Sequence, residues 1–329
     1  GVSESLDLPH PLHLHCNQLG QPGNVDALAA TLDAVGDRRL HLAHVQFYAY
    51  GESADGGYTS AAARARELLD NRPNISADVG TIGFGPAMIV TADTPLEHAL
   101  WRGHGSPSRP AVFTTFERES GMGVMPSAYS PRNRIHGLQW AIGMELLLGG
   151  DPNQLCLTVD HPNGGSITHY PELIAALMQR DRRNERLAKL PKFTRRRSPL
   201  REIGREMTLD DIATVTRAAP ARMLGLATKG HLGVGGDADV TIYDDRTDDP
   251  EAMFRCAWRV IKAGRVVAEQ GRMIGDAPGT RLRAALDGSP RGEELLTQWM
   301  HRHGSMAAAQ LGIDPAQRET MCAVARSER

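Results

Sequence analysis

The sequence predicts an α/β fold: the C-terminal half of a parallel (β/α)8 barrel, followed by a small β domain. Three observations predict it. Pro9–Asn17, Arg39–Phe47 and Leu155–Asn163 each read as a short apolar strand that carries a metal-ligating side chain to its end: His15, His44 and Asp160. Helical patterns fill the intervals between strands, and a strand–helix–strand order implies parallel pairing. From Lys229 onward, turn glycines give way to two-residue alternation, which predicts a small antiparallel sheet.

Successive strand residues face opposite sides, so His13 and His15 share one face while Leu12 and Leu14 share the other. A polar turn runs from Asn17 to Asn24. Asn24 to Val35 then places apolar residues at helical spacing, and Gly36 stops the helix. His41 to Phe47 is predicted as the second strand. Gly51 to Tyr58 reads as a Gly-rich loop over the barrel mouth, without the lysine of a phosphate-binding loop. Ser60 to Leu69 is the next helix and Ile75 to Ile82 the third strand. Residues 85–153 are too many for one connection and predict an elaborated insertion, strongly periodic only at the buried-helix pattern Ile135 to Leu148. Leu155 to Asp160 is the fourth strand, covered by a helix from Tyr170 to Gln179. Arg180 to Arg205, with Arg195-Arg196-Arg197, reads as a solvated surface loop. Thr208 to Leu226 returns to helix behind a capping signature at Thr208, and Trp258 to Ile274 predicts a hairpin about Gly264. The expected domains are residues 1–226 for the half-barrel with its insertion, 227–278 for the β domain, and 279–329 for a tail with helical periodicity in Glu293 to His301 and Met306 to Leu311.

Lys and Arg number 37 against 39 Asp and Glu, so no global field draws nucleic acid or a membrane surface. Neither is an expected partner. No apolar run reaches the roughly 18 residues that span a bilayer. Cys16, Cys156, Cys256 and Cys322 are scattered without a CxxC pair, which predicts reduced thiols and a cytoplasmic location. Cys16 adjoins His15 but faces the other side of its strand, so it is not read as a nucleophile. The histidine strand follows Gly1 almost at once, with no lead-in element, which reads as a truncated start.

Ala219-Pro220-Ala221, Leu224-Gly225-Leu226, Gly233 and Ala238-Asp239-Val240 resemble the C-terminal signature of the amidohydrolase superfamily, whose chain leaves a TIM barrel for a small β domain at such glycines. More specific are His10 to Asn17, His41 to Phe47, Phe84-Gly85-Pro86, Gln139 to Glu145 and Thr158 to Gly165. These resemble the A subunit of formylmethanofuran dehydrogenase, equivalently that of the bacterial formyltransferase/hydrolase complex. The resemblance runs from about His10 to Ile274. It implies that the histidine strands are the fifth and sixth and that the Asp160 strand is the eighth. The family's HxH pair and carboxylated bridging lysine then lie upstream of Gly1.

The resemblance implies a metal-dependent amidohydrolase subunit that hydrolyses, or forms in reverse, the N-formyl amide of a methanofuran-type cofactor. His15, His44 and Asp160 would be ligands to a divalent metal, expected as two zinc ions, with Asp160 also the general base. His161 and Asn163 are candidate substrate-binding groups, and the other subunits of the complex are the expected partners. His10, His13 and His41 are read as structural, because they precede the strand ends. Two alternatives stay open. One is a non-catalytic scaffold subunit of the same complex; the other is a different metal amidohydrolase of the D-aminoacylase or dihydroorotase type.

Overall fold

The computed structural model describes residues 11–16, 18–91, 123–276, 281–284, 291, 294–295, 297–298 and 321–324. In chain order its strands are β1 (Leu12–Leu14), β2 (Leu40–Leu42), β3 (Tyr50–Glu52), β4 (Tyr58–Ser60), β5 (Ile75–Asp78), β6 (Gly85–Thr91), β7 (Gly123–Tyr129), β8 (Leu155–Cys156), β9 (Val240–Ile242), β10 (Arg259–Lys262), β11 (Arg265–Glu269), β12 (Arg272–Met273), β13 (Arg281–Ala284) and β14 (Met321–Val324).

Strands β1, β2, β5 and β8 pair in that order, all parallel, with His13 opposite His41 and His41 opposite Ser76. Between them run helices α1 (Val25–Val35), α2 (Ala62–Asp70) and α3 (Arg134–Gly149). Parallel neighbours joined through helices are the arrangement of half a (β/α)8 barrel. Alternation sorts the sheet's two faces. Leu40, Leu42, Ile75 and Ala77 are buried in the same apolar core as Leu28 and Leu32 of α1, Leu68 and Leu69 of α2, and Trp140, Ile142 and Leu146 of α3. His41, Ser76 and Asp78, the intervening residues, are half-buried on the opposite face. The core therefore holds the sheet against its helices and leaves a polar face where a barrel has its interior.

Several local expectations are corrected. The predicted strand His41 to Phe47 ends at Leu42, because His44 adopts φ +33° and starts a 3-10 turn over Val45–Tyr48. The Gly51 to Tyr58 stretch is an antiparallel hairpin of β3 and β4, not an open loop. Its tip is tied down by Arg197, 3.3 Å from the Asp55 carboxylate, and the Tyr58 hydroxyl donates to the Gly20 carbonyl. The segment 180–205 is largely helical: α5 (Arg180–Lys189) and α6 (Lys192–Arg197) follow α4 (Tyr170–Met178). Arg183 is fully buried and donates to the carbonyls of Ala176, Ile203 and Arg205, so this arginine-rich run is anchored from within. The capping signature holds, with Thr208 and Asp211 exchanging side-chain and backbone bonds at the start of α7 (Leu209–Ala213).

Strands β9 to β12 form an antiparallel sheet of order β12-β11-β10-β9 within the same compact unit, and Ala263-Gly264 turns the central hairpin. A second unit comprises residues 1–8, 88–127 and 278–329; among its described residues β13 and β14 pair in parallel. Helical residues recur at 291, 294–295 and 297–298, whereas Met306 to Leu311 lie outside the described residues.

Candidate metal centre

The parallel strands end together, and the polar side chains at those ends converge. His15 Nδ1 lies 2.9 Å from His44 Nε2, with the two rings nearly perpendicular and their centroids 4.7 Å apart. The tight turn begun at His44 aims that ring back across the strand ends. Burial, then the neighbouring His15, pushes the His44 imidazole down to about 4, so it is neutral at pH 7 and presents a lone pair. Its Nδ1 is buried without a partner among the described residues. Two facing imidazoles, one of them held neutral with an unused ring nitrogen, are a donor set that zinc takes readily.

Asp160 stands on the same rim. A Cβ placed on Gly80 would lie 3.7 Å from Asp160 Cβ and closer still to His44 Cβ, so Gly80 separates these two side chains by the width of one backbone. Asp160 adopts φ +45° where the chain turns away from the sheet after β8. Burial, and then the Asp78 carboxylate, pushes its carboxyl up to about 6. Such a group accepts and releases protons near neutrality. His161 is exposed and pairs its Nδ1 with the Gly165 carbonyl at 3.0 Å, while Asn163 is half-buried just beyond it. Cys16 is buried, and burial pushes its thiol up to about 11, which suits a structural thiol.

One layer below the rim lies a group that sequence reasoning passed over. Asp78 Oδ2 is 3.4 Å from His41 Nε2 and 4.0 Å from His13 Nε2, and Asp78 Oδ1 accepts from Thr158 Oγ1 at 2.6 Å. Burial works to raise the Asp78 carboxyl, yet hydrogen bonds from His41 and Thr158 outweigh it and hold the group below the usual carboxylate range. The signal was present in the alternation: Ser76 and Asp78 occupy the same face of the third strand that His13 and His41 occupy on theirs.

A parallel half-barrel with histidines and an aspartate gathered at its strand ends defines a metal amidohydrolase architecture, and the sequence profile of the amidohydrolase family matches residues 3–268. The chain belongs to the amidohydrolase family. Within it, the chain is 42% identical over 285 residues to the A subunit of the formyltransferase/hydrolase complex of Methylorubrum extorquens, covering 85% of this chain and 51% of that one. It is 36% identical over 315 residues to the protein FwdA of Methanocaldococcus jannaschii, covering 90% and 54%. The crystal structure of the formyltransferase/hydrolase complex from Methylorubrum extorquens, solved with methylofuran, contains a chain that superposes with a TM-score of 0.85 at 37% identity, covering 99% of this chain and 60% of that one. The resemblance carried by the histidine-strand and Thr158 to Gly165 motifs is therefore borne out. The chain spans about half the length of the curated relatives it matches. No described helix is long and apolar enough to cross a membrane.

Proposed function

We infer that this chain supplies part of the active site of a metal-dependent amidohydrolase that hydrolyses, or forms in reverse, the N-formyl amide of a methanofuran-type cofactor. It does so as one component of a formyltransferase/hydrolase complex. The observation that carries the reading is the facing of His15 Nδ1 and His44 Nε2 at 2.9 Å beside Asp160, in a chain similar to the A subunit of such a complex.

When bound, a divalent metal polarises an amide carbonyl and lowers the pKa of a water molecule. His15 and His44 would hold it through the ring nitrogens that face one another, and Asp160 would contribute a carboxylate oxygen. Asp160 takes the proton of the attacking water at that carboxyl and returns it to the departing nitrogen as the formyl C–N bond breaks, leaving formate and a free amine. That transfer is general acid–base work at a single carboxyl. To His161 and Asn163, just past the turn, this reading assigns contact with the body of the substrate.

The test compares three variants of the full-length protein by elemental analysis and formate release. His15→Ala and His44→Ala each lose metal and turnover together, because each removes a ligand. Asp160→Asn lowers turnover by about 10² to 10⁴, the usual worth of a positioned acid–base group, while retaining more metal than either histidine variant. Undiminished metal in both histidine variants would remove them from the centre. Full turnover in Asp160→Asn would leave a scaffold role or a different base.

A further inference from the structure

We propose that His13, His41 and Asp78 form a separate divalent-cation site of the zinc class, one layer deeper in the barrel than His15, His44 and Asp160. The ligand-capable atoms of the three residues all lie within 4.8 Å of one another, and they come from three successive strands, β1, β2 and β5. Two residues along a strand is roughly 6.6 Å, which sets the spacing between this layer and the rim. The His13 and His15 ring centroids are 5.3 Å apart.

What favours a cation over a plain hydrogen-bonded cluster is the way the outer atoms are used. His41 Nδ1 is paired with Ser76 Oγ at 2.9 Å, which directs Nε2 toward Asp78. Asp78 Oδ1 already receives Thr158, which leaves Oδ2 as the oxygen that faces the two imidazoles. A histidine whose second nitrogen is bonded to a hydroxyl, and a carboxylate whose second oxygen is bonded, are the outer-sphere arrangements that orient metal ligands. The inner distances point the same way. At 3.4 Å the His41 nitrogen makes only a long hydrogen bond to Asp78 Oδ2, and at 4.0 Å the His13 nitrogen is out of hydrogen-bond reach of it. Ligand atoms arranged tetrahedrally at about 2.1 Å from a zinc ion stand about 3.4 Å from each other. The cluster is therefore spaced for an ion between its members, with His13 needing the larger inward shift. Two imidazoles and one carboxylate suit zinc, cobalt or manganese, and they would tie three strands together beneath the mouth.

The experiment uses the natural full-length protein, stripped with a chelator, reloaded with Zn²⁺ alone and desalted before zinc per chain is measured. His41→Gln and Asp78→Asn should each lower the count by one equivalent. The paired His15→Ala and His44→Ala variant should keep the equivalent that depends on His41. Loss in the rim variants without loss in the deep ones overturns this inference and leaves the proposed function standing; the converse overturns the proposed function and leaves this inference standing. Ser76→Ala keeps all three ligands and guards against misfolding of the other variants. It should weaken one equivalent by 10- to 100-fold in a competition titration and perturb the visible absorption of Co²⁺-loaded protein. Unchanged zinc count in His41→Gln and Asp78→Asn, or unchanged affinity in Ser76→Ala, refutes the site.

Discussion

Gly80 and His44 touch so closely that no side chain fits between them: a Cβ on Gly80 would stand 2.9 Å from the Cα of His44 and nearer still to its Cβ. Gly80 also adopts φ +65°, a conformation that costs a side chain about 1 to 2 kcal/mol. Gly80→Ala must then move the His44 backbone, since the obstructing atoms are not the flexible end of a side chain. We expect metal affinity to fall at least tenfold while far-ultraviolet circular dichroism stays native. A Gly80→Ala protein with wild-type metal affinity would show that the His44 position tolerates displacement.

Thr158 ties the two layers of polar residues together. Its hydroxyl donates to Asp78 Oδ1 and accepts from the Gly80 amide at 2.8 Å, two residues before Asp160 in the chain. Thr158→Val keeps the shape and removes both bonds, leaving two buried polar groups short of a partner, at a cost of about 1 to 3 kcal/mol each before relaxation. The expected outcome is a lower urea midpoint together with slower formate release. A loss of stability with turnover unchanged would separate this bond from the alignment of Asp160.

The strand ends were legible in the sequence because alternation is a strict rule: once Leu12 and Leu14 share one face, His13 and His15 must share the other. Helix α1 was legible from its spacing, and its buried Leu28 and Leu32 lie where that spacing put them. The segment 180–205 misled for a physical reason. Charge runs are usually solvated, and nothing local distinguishes Arg183, whose burial depends on carbonyls as far away as Arg205, from its exposed neighbours. Asp78 was missed for a related reason. A lone acid at a strand end says little until pairing sets it beside His41.

Arg183 gives a direct check of that segment. Its guanidinium donates 3.0 Å bonds to three carbonyls and joins α4 to the chain beyond α6. Arg183→Met fills much of the volume but abandons those carbonyls. Hydrogen bonds to charged groups are worth about 1.5 to 3 kcal/mol each, partly regained from water after relaxation, so a net loss on the order of 3 kcal/mol is expected. Denaturant titration reads it directly, and a shift below about 0.5 kcal/mol would place the segment's stability elsewhere.

Glu145 lends the fold a dependence on pH. It sits on α3, 3% exposed, and its carboxylate accepts from Ser60 of the hairpin and Ser198 beyond α6, with Arg66 nearby. Burial pushes its carboxyl from the ordinary 4.5 up to about 7, against the pull of both serines and Arg66. Between those two values the folded chain holds a proton that the unfolded chain has released. Stability therefore falls as pH rises through that window, by on the order of 3 kcal/mol, and stays low above it. Glu145→Gln cannot ionise, and either serine can turn to accept from its amide. Melting curves of both proteins from pH 5 to pH 8 should diverge, with the variant gaining on the wild type as pH rises. Parallel curves across that range would mean that Glu145 ionises in the folded chain as readily as in the unfolded one, and that its two serines and Arg66 fully offset its burial.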